Sequence, residues 1–160
     1  MEENNNIQQE DINTQQPDTF EEKLIRLRTE WSNEVENLNA ELKDLASLDS
    51  LLNVVYTKRQ TAVDVYYATI SVLNKQMREY KKQYANIYNN LKLGQNGIRY
   101  TNEQSINVQC EAQLSDQLAI INELKTFTDF MWETVKSIDG IQYAISNKIK
   151  IYELMHSVKF

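Results

Sequence analysis

The chain has 160 residues, three glycines, one proline and a formal net charge of −6, which suits a single all-α domain with a real core and disfavours a sheet protein. No apolar run approaches the ~18 residues needed to span a bilayer, and the polar, acidic N-terminus is unlike a secretory signal. One cysteine, Cys110, excludes an intramolecular disulfide and suits a reducing compartment, so a cytoplasmic protein is expected.

Residues 1–18 read as a disordered acidic tail. Met1, Ile7 and Ile12 are their only sizeable apolar side chains, too few to offset the entropy of ordering. Residues 19–160 read as a single helical domain. Thr19 and Glu22 stand at capping-box spacing and open a first helix. One face of it carries Phe20, Leu24, Leu27, Trp31, Val35, Leu38, Leu42 and Leu45, and the other is acidic. A turn near 46–50, where Ser47, Asp49 and Ser50 offer caps, leads into the second helix; a continuous rod is the alternative.

The second helix carries a strict heptad seam: Leu52, Tyr56, Arg59, Val63, Tyr66, Ile70, Leu73, Met77, Tyr80, Tyr84, Ile87 and Leu91. Spacings that alternate between four and three keep one stripe against a partner helix. Only Arg59 interrupts the apolar line. Residues 50–92 would span roughly 65 Å. The helices should therefore pack as a hairpin or bundle, with a glycine loop near 93–100, where Gly94 and Gly97 stop the second helix. Beyond it, Ile106, Val108, Cys110 and Ala112 alternate with period two, as a short strand would, but no second strand is there to pair with it. Helical spacing resumes at Leu114 and runs to Tyr152, with Gly140 marking a kink or a close backbone approach.

Charge is segregated along this plan. Residues 1–57 hold thirteen acids and four bases, 58–99 two acids and eight bases, and 100–160 eight acids and five bases. With Met77 and Tyr84 at heptad position a, Lys75, Arg78, Lys82 and Lys92 fall on the side of the helix opposite the seam. Together with Lys81 and Arg99 they form a cationic stripe fit for a polyanion, with nucleic-acid backbone as the first expectation. Tyr88 and Tyr100 lie off the seam and are the expected base-stacking side chains; Tyr80 and Tyr84 lie on it and are expected in the core. The alternative is that these bases pair with the acidic first helix, through Glu30, Glu34 and Glu41.

Catalysis is not expected. One His and one Cys cannot build the usual zinc or Cys–His arrangements. Glu153 and His156 match one Glu-x-x-His motif of di-iron bundles, which need two such motifs and further Glu residues. No phosphate-binding loop is present. Gly94-Gln95-Asn96-Gly97 has the form of a KH-domain Gly-x-x-Gly loop without the sheet that fold needs, and reads as a plain turn. No cofactor and no metal are expected.

Three stretches carry a family resemblance. They are Tyr66-Tyr67 with Leu73-Asn74-Lys75 running into Lys81-Lys82-Gln83-Tyr84; Tyr88 through Gly94; and Thr128-Asp129-Phe130, Ile138, Tyr143-Ala144-Ile145 and Ile149. Over roughly residues 50–155 the chain resembles the UvsY-type recombination mediators of T-even-like tailed phages. Gly140 is displaced by a residue or two from the family pattern, and the acidic residues 1–57 have no clear counterpart. The resemblance implies a helical homo-oligomer, without enzymatic activity, in the cytoplasm of an infected bacterial host. It would bind single-stranded DNA and help a RecA-like recombinase displace single-strand-binding protein. Lys75, Arg78, Lys81, Lys82, Lys92 and Arg99 would hold the strand, and C-terminal helices bearing Ile138, Ile141, Ile145, Ile149 and Tyr152 would build the oligomer. The rival expectation is a non-enzymatic helical phage protein, structural, assembly-related or host-defence-inhibiting, that acts through protein contacts.

Overall fold

The structure, a computed structural model, describes residues 19–43, 47–95, 97 and 99–157. Among them are four helices and no strand: α1 (Phe20–Glu41), α2 (Leu48–Leu93), α3 (Glu103–Gln113) and α4 (Ser115–Ser157). The expected acidic tail up to residue 18 lies outside the described residues; of the turn expected near 46–50, only residue 46 lies outside them, and Leu48, Asp49 and Ser50 already belong to α2.

Local chemistry sets the helix ends. Thr19 caps α1: its hydroxyl accepts from the Glu22 N–H at 3.2 Å, and the Glu22 carboxylate accepts from the Thr19 N–H at 2.7 Å. At the other end of α1 the Leu42 carbonyl accepts from Lys148 Nζ at 2.6 Å. A cation borrowed from α4 thus serves a helix with no basic residue in its own last turn. α2 ends on Gly94 at φ 70°, a left-handed conformation that glycine adopts without a Cβ penalty. Any Cβ there would meet the Arg99 Cβ at 3.0 Å.

α2 and α4 form a long antiparallel hairpin. Arg59 Nε donates to Asp139 at 2.5 Å, Tyr66 and Trp132 stack at 5.5 Å, and Gln142 reaches the Tyr56 hydroxyl at 3.5 Å. Each step up α2 is matched by one step down α4, so the pairing is a regular ladder. α1 lies in the groove beside both, through Glu34–Lys58 at 2.9 Å and Arg28–Glu123 at 3.8 Å. The main core gathers Leu24 and Leu38 of α1, Leu48, Leu51, Val55 and Ala62 of α2, and Phe127, Met131, Val135, Ile138, Ile141 and Ile145 of α4.

The heptad seam is offset from the line that is most buried. In the lower half of α2 the buried positions are Leu48, Leu51, Val55, Ala62 and Thr69, whereas Leu52, Val63 and Tyr66 are half-buried and Tyr56 is 50% exposed. Two helices touch α2 there, and the centre of burial lies between them. Higher up, the seam residues Ile70 to Ile87 are half-buried and Leu91 is buried. The alternating segment 106–112 is the helix α3: Ile106 and Cys110, four apart, are buried together with Leu91, while Val108 is exposed. α4 runs through Gly140 without ending, and the space above that residue is open.

Candidate nucleic-acid interface

The cationic side chains of α2 divide into two groups. Lys58 and Arg59, low on the helix, have acidic partners in Glu34 and Asp139. The Asp139 carboxylate, by hydrogen bond and by charge, raises the Arg59 guanidinium above its already high ordinary value. Higher up, Lys75, Arg78, Lys81, Lys82, Lys92 and Arg99 are all exposed, and among the described residues none of them is in an ion pair.

The Glu34–Lys58 and Arg28–Glu123 pairs lay α1 beside α2 from Lys58 up to about residue 75, the α2 position opposite Glu123 on the hairpin ladder. Among the described residues no acid of α1 is in an ion pair with the stripe. Glu34 is committed to Lys58, and Glu30 lies 3.9 Å from Arg26 on its own helix. Beside the stripe a shallow depression of about 420 Å³ is lined by Ser71, Asn74, Met77, Arg78 and Lys81. Two cations border it, and Ser71 and Asn74 add neutral hydrogen-bonding groups.

The expected stacking residues have other commitments. Tyr88 and Tyr100 are half-buried against the Leu91, Ile106 and Cys110 cluster, with Lys92 Nζ 5.6 Å from the Tyr88 ring centre. The Tyr100 N–H donates to the Leu91 carbonyl at 3.2 Å and closes the loop. Tyr80 and Tyr84 are half-buried, 6.0 Å apart, and the Tyr84 hydroxyl donates to Asn107 at 2.9 Å. Burial raises the Tyr84 phenol pKa, with nearby Cys110 and Glu111 adding to the effect.

Of the residues expected to build an oligomer, Ile138, Ile141 and Ile145 are inside the core of the chain itself, at 0%, 3% and 0% exposure. Ile149 sits at the margin of that core, and Tyr152 is exposed. Further along α4, Ile151, Leu154 and Met155 are all more than half exposed. His156 is exposed and lies against Tyr152, with ring centres 4.0 Å apart. Among the described residues no group of three or more His, Cys, Asp or Glu side chains is placed to hold a metal.

One feature of the site escaped the seam argument and was still visible in the sequence. Arg59, the charged residue at a seam position, needed an acid across the hairpin, and Asp139 is the acid of α4 that the ladder brings opposite it.

No protein-family model, curated protein or solved structure matches the chain. No described helix is long and apolar enough to cross a membrane.

Proposed function

We propose that the protein is an oligomeric single-stranded-DNA-binding recombination mediator, which helps to load a RecA-like recombinase onto DNA covered by single-strand-binding protein. One observation carries this reading: Lys75, Arg78, Lys81, Lys82, Lys92 and Arg99 stand exposed on the upper part of the hairpin, and among the described residues none of them is in an ion pair. An exposed row of unpaired cations attracts a phosphate chain through counterion release. The mediator role beyond strand binding rests on the family resemblance. It calls for no catalytic step, for several strand sites per assembly, and for a host-cell cytoplasm as the place of action. The apolar end of α4, Ile151 to Met155, supplies the contact between copies.

The same apolar end also favours a second reading, a helical structural, assembly or host-defence-inhibiting protein that works through protein contacts. Anisotropy of a labelled single-stranded oligonucleotide at low and moderate salt separates the two. The mediator reading expects micromolar or tighter binding that falls steeply as salt rises, and its loss in the Lys82→Glu, Lys92→Glu double variant with helicity retained. Absence of binding at low salt rejects that reading and leaves the protein-contact one.

A further inference from the structure

Two exposed tyrosines, Tyr56 on the seam and Tyr67 beside it, lead up α2 towards the cationic stripe. Tyr56, Tyr67 and Arg78 are spaced eleven residues apart, close to three full turns, so they fall on one line along the helix. Lys58, which meets α1 through Glu34, is nine residues from Tyr67, half a turn around. The row therefore runs along the side of the hairpin that α1 leaves uncovered.

Tyr67 is 64% exposed, more than any other aromatic side chain of α2. It meets Tyr66 edge to face at 5.2 Å, and Tyr66 in turn lies 5.5 Å from Trp132 of α4. Trp132 is 46% exposed and carries Lys136 Nζ 5.5 Å from its ring centre, a cation that Glu133 holds at 2.7 Å. Arg78 stands about 16 Å further along the line, with Lys75 and Lys81 beside it.

We propose that Tyr67, braced by Tyr66 and Trp132, is a base-stacking platform for single-stranded nucleic acid whose phosphates lie on Lys75, Arg78 and Lys81. The inference rests on the strand-binding reading above and adds to it where the bases go. Duplexes hide their base faces, so the platform selects unpaired strands, which a cationic stripe alone does not. A phosphate-only site would need the cations and no exposed ring. The charge of the neighbouring stripe favours a nucleic acid over an apolar protein surface as the occupant.

The test compares an oligothymidylate with a fully abasic oligonucleotide of equal length, at one salt concentration. Wild-type protein should bind the base-bearing strand about tenfold more tightly. Tyr67→Ala should remove most of that preference, Tyr67→Phe should keep it, and both should bind the abasic strand as wild type does, which also reports an intact fold. The salt dependence should be unchanged in these variants, because the phosphate contacts remain. Equal wild-type affinity for the two strands, or a preference that survives Tyr67→Ala, overturns the platform and leaves the cationic stripe standing. No binding to either strand overturns both.

Discussion

At the scale of single residues, burial decides which side chains carry stability and which remain available. Ile138 is fully buried between α1 and α2, and Ile138→Ala should lower stability by about 3 kcal/mol in urea unfolding, through lost transfer energy and an unfilled cavity. Arg59→Ala should cost less, about 0.5–1 kcal/mol, because the pair it breaks is more than a third exposed on both sides. Arg28 differs again. Its Nε and one terminal nitrogen are buried without a hydrogen bond, and Glu123 is 3.8 Å away. Arg28→Met should therefore leave the urea midpoint unchanged or raise it, since it removes a buried polar group that lacks a good partner. Cys110 is fully buried, and burial, with a further push from Glu111, raises its thiol pKa above the ordinary value. A thiol kept protonated and covered is a poor nucleophile. In the native protein Cys110 should react with a disulfide reagent only as fast as the tip of the hairpin opens, and at once in denaturant.

At the scale of the element, the helix ends are specified by short-range chemistry and respond to pH accordingly. Glu22 has its pKa lowered, first by the hydrogen bond from the Thr19 backbone and then by the Thr19 side chain. The sign follows directly. A depressed acid contributes stability above its unfolded pKa, and that contribution is lost as pH falls through the lower folded value. Acidification should fray the first turn of α1, seen as faster amide exchange near residues 20–23, and Glu22→Gln should remove that pH dependence. Thr19→Ala should destabilise α1 by about 1 kcal/mol. At the other helix boundary, Gly94→Ala forces a side chain into positive φ and against Arg99, at a cost of about 1 kcal/mol or more in the thermal transition.

At the scale of the whole molecule, the main core and the exposed cationic stripe are placed at different heights of one hairpin. Three helices converge on the lower half, around Val55, Met131 and Ile138, whereas Leu91, Ile106 and Cys110 hold the tip. Native-state hydrogen exchange should show the slowest amides in α4 between residues 127 and 145, with α3 and the top of α2 opening at lower free energy. The cations that are in no ion pair among the described residues stand on the upper half. Charge segregation along the chain becomes charge segregation in space because the helices are long and pack in simple register.

The sequence by itself determined the helices and several of their limits. Thr19 with Glu22, and Gly94, mark ends through hydrogen bonds and dihedral preferences that span only a few residues. The all-α class followed from the same local chemistry, with apolar spacing along α1, α2 and α4 adding the faces that pack. What needed the tertiary structure was every question of which helix meets which. The alternation at 106–112 suggested a strand because one face of a short helix supplies only Ile106 and Cys110, too few positions to fix a period. The seam of α2 suggested one partner helix, and the presence of a second rotated the buried line towards Leu51, Val55 and Ala62. Ile138, Ile141 and Ile145 looked available to another copy until α1 and α2 were seen to cover them. Which cations of α2 meet an acid was decided in the same way: Lys58 meets Glu34 and Arg59 meets Asp139 through packing across the chain. Periodicity records that a face is buried, while the partner that buries it is fixed by contacts between residues far apart in sequence.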